Sequence, residues 1–350
     1  MRNFCSILFT IATIVLNESR AEETWSFIAL ADWHGGESFA LYPGEDSEVW
    51  TKNLETLNYI KQNYGGDSID LMILPGDTNN GKWDTSEFIK KLDPSLSPQE
   101  AVLTAGRNCY SSIKDLFSSG GFQTMLLAIG DHEIGGNSWR GGSSKVLSLP
   151  EYRQGFVEGF NKDENGNLLF PEYIGNVVSR PLGTIYEHTS YAYRHKNALF
   201  ITIDAFQQVD SDEPFLDREN GVGGEGVVTG TVTGTHLAWF ELILKEAREN
   251  AMINHIFVQS HLPVIQPVRK VVCSGQFMDY GEESDFWRLM NEYGVDVYFA
   301  GEVHANTATK SDDSDLVQVS DIMIVFSQRQ LCHLFVSRTS FLMHTGSFER

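Results

Sequence analysis

Five short apolar stretches recur along the chain, and each runs straight into a chemically loaded residue. Residues 26–31 (SFIALA) lead into Asp32, residues 69–74 (IDLMIL) into Pro75-Gly76-Asp77, and residues 125–129 (MLLAI) into Gly130-Asp131-His132-Glu133. Residues 255–260 (HIFVQS) lead into His261, and residues 295–300 (VDVYFA) into Gly301-Glu302-Val303-His304. Continuous apolar runs of this length predict strands buried on both faces. Helical spacing of apolar residues fills the gaps over 48–63, 235–250 and 284–293, the last stopped by Gly294. Residues 191–194 and 199–203, divided by His195-Lys196-Asn197, read as a hairpin, and the glycine-rich stretches 135–142 and 221–234 as loops. With no fixed repeat and no dividing linker, the pattern predicts one α/β domain with long loops.

The two ends follow a different grammar. Arg2, the apolar run 4–16 and the small residues of Ser19-Arg20-Ala21 predict a secretory signal peptide over 1–21, which leaves no membrane span once removed. The expected location is therefore extracellular or an endomembrane lumen. Residues 22–319 form the expected domain. From Ser320 the chain turns basic, serine-rich and weakly patterned, so 320–350 is either a C-terminal hairpin or a tail foreign to the domain. Cys5 leaves with the signal; Cys109 and Cys273 are either a disulfide or two isolated thiols, and Cys332 completes an odd count.

Charge sharpens the question of chemistry. There are 26 basic and 47 acidic side chains, a formal net charge of −21. That excludes a nucleic-acid-binding surface, which needs a basic face for counterion release. An anionic substrate then requires a local cation. Ligands in α/β sheets bind beyond the carboxyl ends of strands, and five such ends here carry Asp, His or Glu. In Asp32-Trp33-His34, side chains two apart on extended backbone point the same way and can grip one ion. Asp77, after the flexible Gly76, can bridge two. Mixed oxygen and nitrogen donors suit Zn, Mn or Fe, and a pair of such ions activates water and clamps a phosphoryl group.

In order, Asp32-Trp33-His34, Gly76-Asp77, Gly130-Asp131-His132-Glu133, Ser260-His261 and Gly301-Glu302-Val303-His304 resemble the D-x-H, G-D, G-N-H-E/D, lone-His and G-H-x-H blocks of the calcineurin-like metallophosphoesterases. The resemblance spans about residues 25 to 305. It implies a four-layer αββα sandwich and a dinuclear metal centre. By position it places Asp32, His34 and His304 on the first metal, Asp77 between the two, and Asp131, His261 and Glu302 on the second. His132 takes the place of the leaving-group acid, with Glu133 to orient it. The implied activity is hydrolysis of phosphomonoesters or phosphodiesters by a metal-bound hydroxide, on a phosphorylated small molecule or macromolecule.

Two positions depart from the pattern. Asp131 stands for the family's Asn and Glu302 for the first His of G-H-x-H, both on the second metal. Either that site is retuned toward a harder ion such as Mn, Mg or Ca, or it has decayed and leaves a non-catalytic extracellular binding protein on the same scaffold. Asn80 occupies the position of the tyrosine ligand of purple acid phosphatases, so tyrosine-coordinated Fe(III) is not expected. Arg107, Arg140 and Lys145 are candidate phosphate contacts, and Trp33, Trp83 and Trp139 candidate pocket walls. His188, His195, His236 and His255 have no partner pattern and read as structural or exposed.

Overall fold

The computed structural model describes residues 25–34, 38–41, 69–136, 147–206, 230–266, 276–312, 314–320, 324–327 and 330–334, with isolated positions between 51 and 62 and a short strand pair between 217 and 228. Residues 1–21, read in the sequence as a signal peptide, most of the helix expected over 48–63, and Arg140, Lys145, Trp139 and Cys273 lie outside the described residues.

Two sheets stack face to face. The first runs β15 (Gln330–Leu334), β14 (Ile324–Ser327), β1 (Ser26–Ala29), β2 (Ile69–Leu74), β3 (Met125–Leu127). The second runs β12 (Thr307–Lys310), β13 (Val317–Ser320), β11 (Val297–Ala300), β10 (His255–Gln259), β7 (Ala198–Thr202), β6 (Tyr191–His195). Two-residue strands form separate pairs, β4 (Tyr173–Ile174) with β5 (Val177–Val178) and β8 (Asp217–Arg218) with β9 (Val227–Val228). The strands that carry the loaded ends are parallel within each sheet, β1 to β2 to β3 and β7 to β10 to β11. Their carboxyl ends therefore gather on one edge of the sandwich.

Alternation explains why these strands read as unbroken apolar runs. Phe27, Ala29, Leu71 and Ile73 face Phe200, Phe257, Val297 and Phe299 across the sheet-to-sheet layer. The Phe27 ring lies 5.0 Å from both Phe200 and Phe257. The intervening residues, Ile28, Met72 and Leu74 on one sheet and Ile256, Val258 and Tyr298 on the other, belong to the outer core beneath the helices. There Trp33 meets Phe117 at 4.9 Å, and Tyr298 meets Phe286 and Trp287. Both faces of each sheet are covered. This is the four-layer αββα arrangement that the motif blocks imply.

The outer helices are α1 (Ser38–Leu41), α2 (Ser86–Leu92), α3 (Pro98–Ser119), α4 (Leu149–Phe160), α5 (Gly234–Glu249) and α6 (Asp285–Glu292). The last two match the helical spacing within a residue or two. α3, the longest, starts on a capping box in which Ser97 accepts from the Glu100 amide while Glu100 returns to the Ser97 amide, with Pro98 in the first turn. α3 and α4 close at Gly106 and Gly155, and Arg107 pairs with Glu158 across them. Arg107, a candidate phosphate contact in the sequence, thus ties two helices together.

A domain end at Val319 divides a strand. Ser320 pairs with Ala300 on one side and Thr307 on the other, and β14 then runs antiparallel to β1 from Ala29↔Ile324 to Ser26↔Ser327. The described part of the C-terminal segment is a hairpin in the first sheet. It covers the edge that β1 would otherwise present. In the sequence alone the hairpin and a foreign tail stand as alternatives. Cys109 is a free thiol buried in α3, its pKa raised by burial.

Candidate metal centre

Beyond the strands the backbone turns abruptly. Asp32, His34, Asp77, Glu302 and His304 have φ of 48°, 45°, 55°, 71° and 51°. They make up five of the eight non-glycine residues with left-handed φ among the described residues. Side chains rarely adopt this conformation, and its concentration here marks a site where packing overrides local preference. It also corrects the extended-backbone argument for Asp32 and His34: both are left-handed, and loop-to-loop bonds bring them together. Asp32 N–H donates to Gly76 O at 3.3 Å and His34 N–H to Asp77 O at 2.9 Å. Glu302 N–H donates to Asp32 Oδ1 at 3.1 Å, linking the two sheets.

Glycine is required where these loops touch. A Cβ on Gly76, at φ 93°, would lie 2.7 Å from His261 Nδ1; one on Gly301 would lie 2.5 Å from the same atom. The imidazole between them is wholly buried. Its Nδ1 donates to the Pro75 carbonyl at 2.8 Å, which fixes the tautomer and turns Nε2 inward. From there Nε2 is 3.4 Å from Asp77 Oδ2 and 3.3 Å from both Asp131 Oδ1 and Glu302 Oε2.

The side chains fall into two groups with Asp77 in both. One comprises Asp32, His34, Asp77 and His304, the other Asp77, Asp131, His261 and Glu302; in each group the donor atoms lie within 4.8 Å of one another. In the first, His34 Nε2 and His304 Nε2 are 3.2 Å apart and His304 Nε2 is 3.5 Å from Asp32 Oδ1. All seven metal-ligand candidates of the sequence are brought together, in the partition that the motif order implies.

Electrostatics says what the arrangement lacks on its own. Asp32 Oδ2, Asp77 Oδ2, both Asp131 oxygens and Glu302 Oε1 are buried and accept no hydrogen bond. Orphaned carboxylate oxygens converging on one spot are costly unless a cation meets them. Burial, reinforced by Asp131, raises the Asp77 pKa well above the carboxylate range, and burial lifts Glu302 to about 7. Burial works to raise Asp131 too, yet His132 and His261 hold it below the usual range. Burial pulls His261 down, but the carboxylates of Asp77, Asp131, Glu302 and Asp32 outweigh it and hold it well above an ordinary histidine. His34 is lowered to about 4 by burial and by His132, which keeps it neutral with a lone pair to offer. The donor set fits metal ions in both groups.

His132 and Glu133 part company. His132 Nδ1 donates to the Asn80 carbonyl at 2.9 Å, and its partly exposed Nε2 sits 3.7 Å from Asp77 Oδ2 at the edge of the centre. Glu133 does not orient it. Glu133 is fully buried, with Oε2 accepting from the amides of Asp77 (2.8 Å) and Gly130 (2.7 Å). Its Oε1 accepts from the Thr78 amide (2.9 Å), Thr78 Oγ1 (2.8 Å) and Asn79 Nδ2 (2.9 Å). The carboxylate therefore shapes the turn that presents Asp77. The polar run Asp77-Thr78-Asn79-Asn80 was the signal for these partners.

Other candidates resolve into packing. Trp33 and Trp83 are core residues, Trp83 lying between Tyr110 and Tyr152. His195 and His255 pair with Asp70 and Asp296, and His188 with Glu187. A buried Arg153–Asp204 pair, with Thr189 Oγ1 donating to Asp204 at 2.7 Å, fixes the loop after β7 that places Phe206 6.2 Å from His261. That strand end was not singled out in the sequence. His236 is buried against Tyr186 and Trp239 with neither ring nitrogen bonded. Burial lowers its pKa from 6.5 to about 4. The unfolded chain protonates this residue near 6.5 and the folded chain only near 4, so the stability it contributes is complete above 6.5 and is lost as pH falls through that window. The loss is about 3 kcal/mol, read as a drop in the urea midpoint between about pH 7 and about pH 4 that His236→Phe diminishes.

No protein-family model matches the chain, and no curated protein matches it by sequence. Solved structures do match. A dimetal phosphatase from Danio rerio is similar with a TM-score of 0.51 at 13% identity, covering 85% of this chain and 86% of that one. The fold is shared with this dimetal phosphatase. The calcineurin-like phosphoesterase YfkN from Bacillus subtilis is similar at TM-score 0.44 and 11% identity, covering 87% of this chain and 84% of that one. The purple acid phosphatase PPD1 from yellow lupin is similar at 0.44 and 12%, covering 86% of this chain and 44% of its own. No helix among the described residues is long and apolar enough to cross a membrane.

Proposed function

We propose that the chain is a secreted metal-dependent phosphoester hydrolase. The observation that carries this is the pair of donor groups sharing Asp77, with orphaned carboxylate oxygens in both groups and a histidine at the rim. Asp32, His34, Asp77 and His304 would hold one ion, and Asp77, Asp131, His261 and Glu302 the other. When bound, the ions supply Lewis acidity toward water and toward the phosphoryl oxygens. The apolar run at 4–16 supports secretion.

The remaining chemistry belongs to the chain. Because the Asn80 carbonyl can only accept, His132 carries hydrogen on Nδ1 and turns Nε2 toward the centre, where a proton carried by Nε2 would face the leaving oxygen. That proton is available to the departing alkoxide, and the Asn80 bond keeps the ring aimed while it transfers. Glu133, through the Asp77 and Thr78 amides, keeps the bridging carboxylate in place. Buried His261 and Glu302 exclude water from one side of the centre and leave the side of His34, His132 and His304 open to substrate.

The test is a screen of the mature protein with Mn(II), Fe(II) or Zn(II) against phosphomonoesters and phosphodiesters. His132→Asn is expected to cut kcat by about 10² to 10⁴ for alkyl leaving groups and much less for para-nitrophenol, which departs without a proton. Equal losses for both leaving groups would remove His132 from the acid role. Bound metal with no turnover of any ester would favour a non-catalytic binding protein.

A further inference from the structure

The two donor groups are not equivalent. Asp77, Asp131, His261 and Glu302 are 0–3% exposed and offer three carboxylates and one imidazole. In the other group the side chains of His34 and His304 are 25% and 44% exposed, and two imidazoles share the work with Asp32 and Asp77. Three carboxylates around one dication leave the buried group with surplus negative charge in a low-dielectric setting, where charge–charge attraction is strongest. The open group has one carboxylate fewer and faces water.

From this asymmetry we propose that the buried group holds Mn(II) as a slowly exchanging resident ion, while the open group holds a freely exchangeable one. The proposal rests on the dinuclear reading above and adds its regulation: activity follows the free concentration of the second metal. Oxygen-rich donors shift preference from Zn(II) toward harder ions. Mg(II) gives up its water reluctantly, and a group this enclosed leaves little room for retained water. Ca(II) takes six to eight oxygens; three carboxylates reach six only if each binds through both atoms, and Asp77 is shared with the open group and accepts from the His132 amide through Oδ1. Mn(II) meets both conditions. A resident ion can leave only if water reaches ligands that are closed to it, whereas His304 and His34 already meet solvent.

The experiment saturates the full chain with Mn(II), passes it through gel filtration in excess EDTA, and counts Mn per chain by plasma mass spectrometry and by electron paramagnetic resonance. One retained ion per chain is expected. His34→Asn should leave that retained ion in place, because it touches only the open group. Glu302→His should raise Zn(II) relative to Mn(II) at the buried group by about tenfold or more, the scale on which even outer contacts tune metal affinity. Loss of both ions together, retention of both, or loss of the retained ion in His34→Asn would overturn the proposal. Should Glu302→His fail to fold by circular dichroism, the wild-type and His34→Asn counts still decide it. One retained Mn(II) in a chain that hydrolyses no ester would uphold the unequal groups and refute the hydrolase reading; hydrolysis with both ions leaving together would do the reverse.

Discussion

Asp77→Asn is expected to lower phosphoester hydrolysis by at least about a thousandfold. Asp77 is the one residue common to both donor groups, so replacing its carboxylate weakens both ions at once. The same substitution should make the metal-free chain more stable. Asp77 is buried beside Asp131, Asp32 and Glu133, and its pKa rises because burial and these neighbours disfavour its charge. A neutral amide of the same shape relieves that repulsion, by about 1–2 kcal/mol or a rise of a few degrees in thermal midpoint. Higher stability with lost activity is the mark of a residue kept for function. A destabilised metal-free Asp77→Asn chain would show that the carboxylate serves the fold.

Glu133→Ala is expected to have the second largest effect, and in the opposite direction for stability. It strips acceptors from five donors, the amides of Asp77, Thr78 and Gly130, Thr78 Oγ1 and Asn79 Nδ2, in a place without solvent. Each buried donor left unpaired costs about 1–3 kcal/mol, and partial relaxation brings the expected loss to about 3–5 kcal/mol. Activity should fall with it, because the turn that aims Asp77 loses its anchor. Glu133→Gln keeps the volume but points an NH₂ group at donors, so it should recover only part of the stability. Urea unfolding of the metal-free variants, with metal affinity measured on the same samples, separates this positioning role from a direct one. Unchanged stability with lost turnover would return Glu133 to the reacting groups.

The strands and the donor residues were legible in the sequence for a shared physical reason. Strands covered on both faces must be continuously apolar, so 69–74 is recovered to the residue, and a charged residue ending such a run stands out. The α3 helix carried its own signal, Ser97-Pro98-Gln99-Glu100, which becomes decisive only beside the buried stripe from Ala101 to Phe117. The β12 strand was opaque because it lies at a sheet edge, half-exposed and built of Thr, Ala and Lys, as in Thr307–Lys310. Glu133 was misassigned because sequence proximity to His132 suggested a partnership. A 3-10 turn instead sends the two side chains in different directions, one to the rim and one into the core. The left-handed backbone at Asp32, His34 and Asp77 was equally hidden, since it is imposed by contacts between loops distant in sequence.

The chain's surplus of acid gains a local meaning from the same geometry. Asp32, Asp77, Asp131 and Glu302 concentrate negative charge where cations are needed, and bound cations turn that spot positive for a phosphate. The most direct test strips the protein with chelator and follows hydrolysis of para-nitrophenyl phosphate and bis(para-nitrophenyl) phosphate while Mn(II) is returned. The structure predicts no rate in the stripped protein, a rate that rises as the second ion binds, and no recovery in Asp77→Asn. Two bound ions per chain with neither ester cleaved would contradict it.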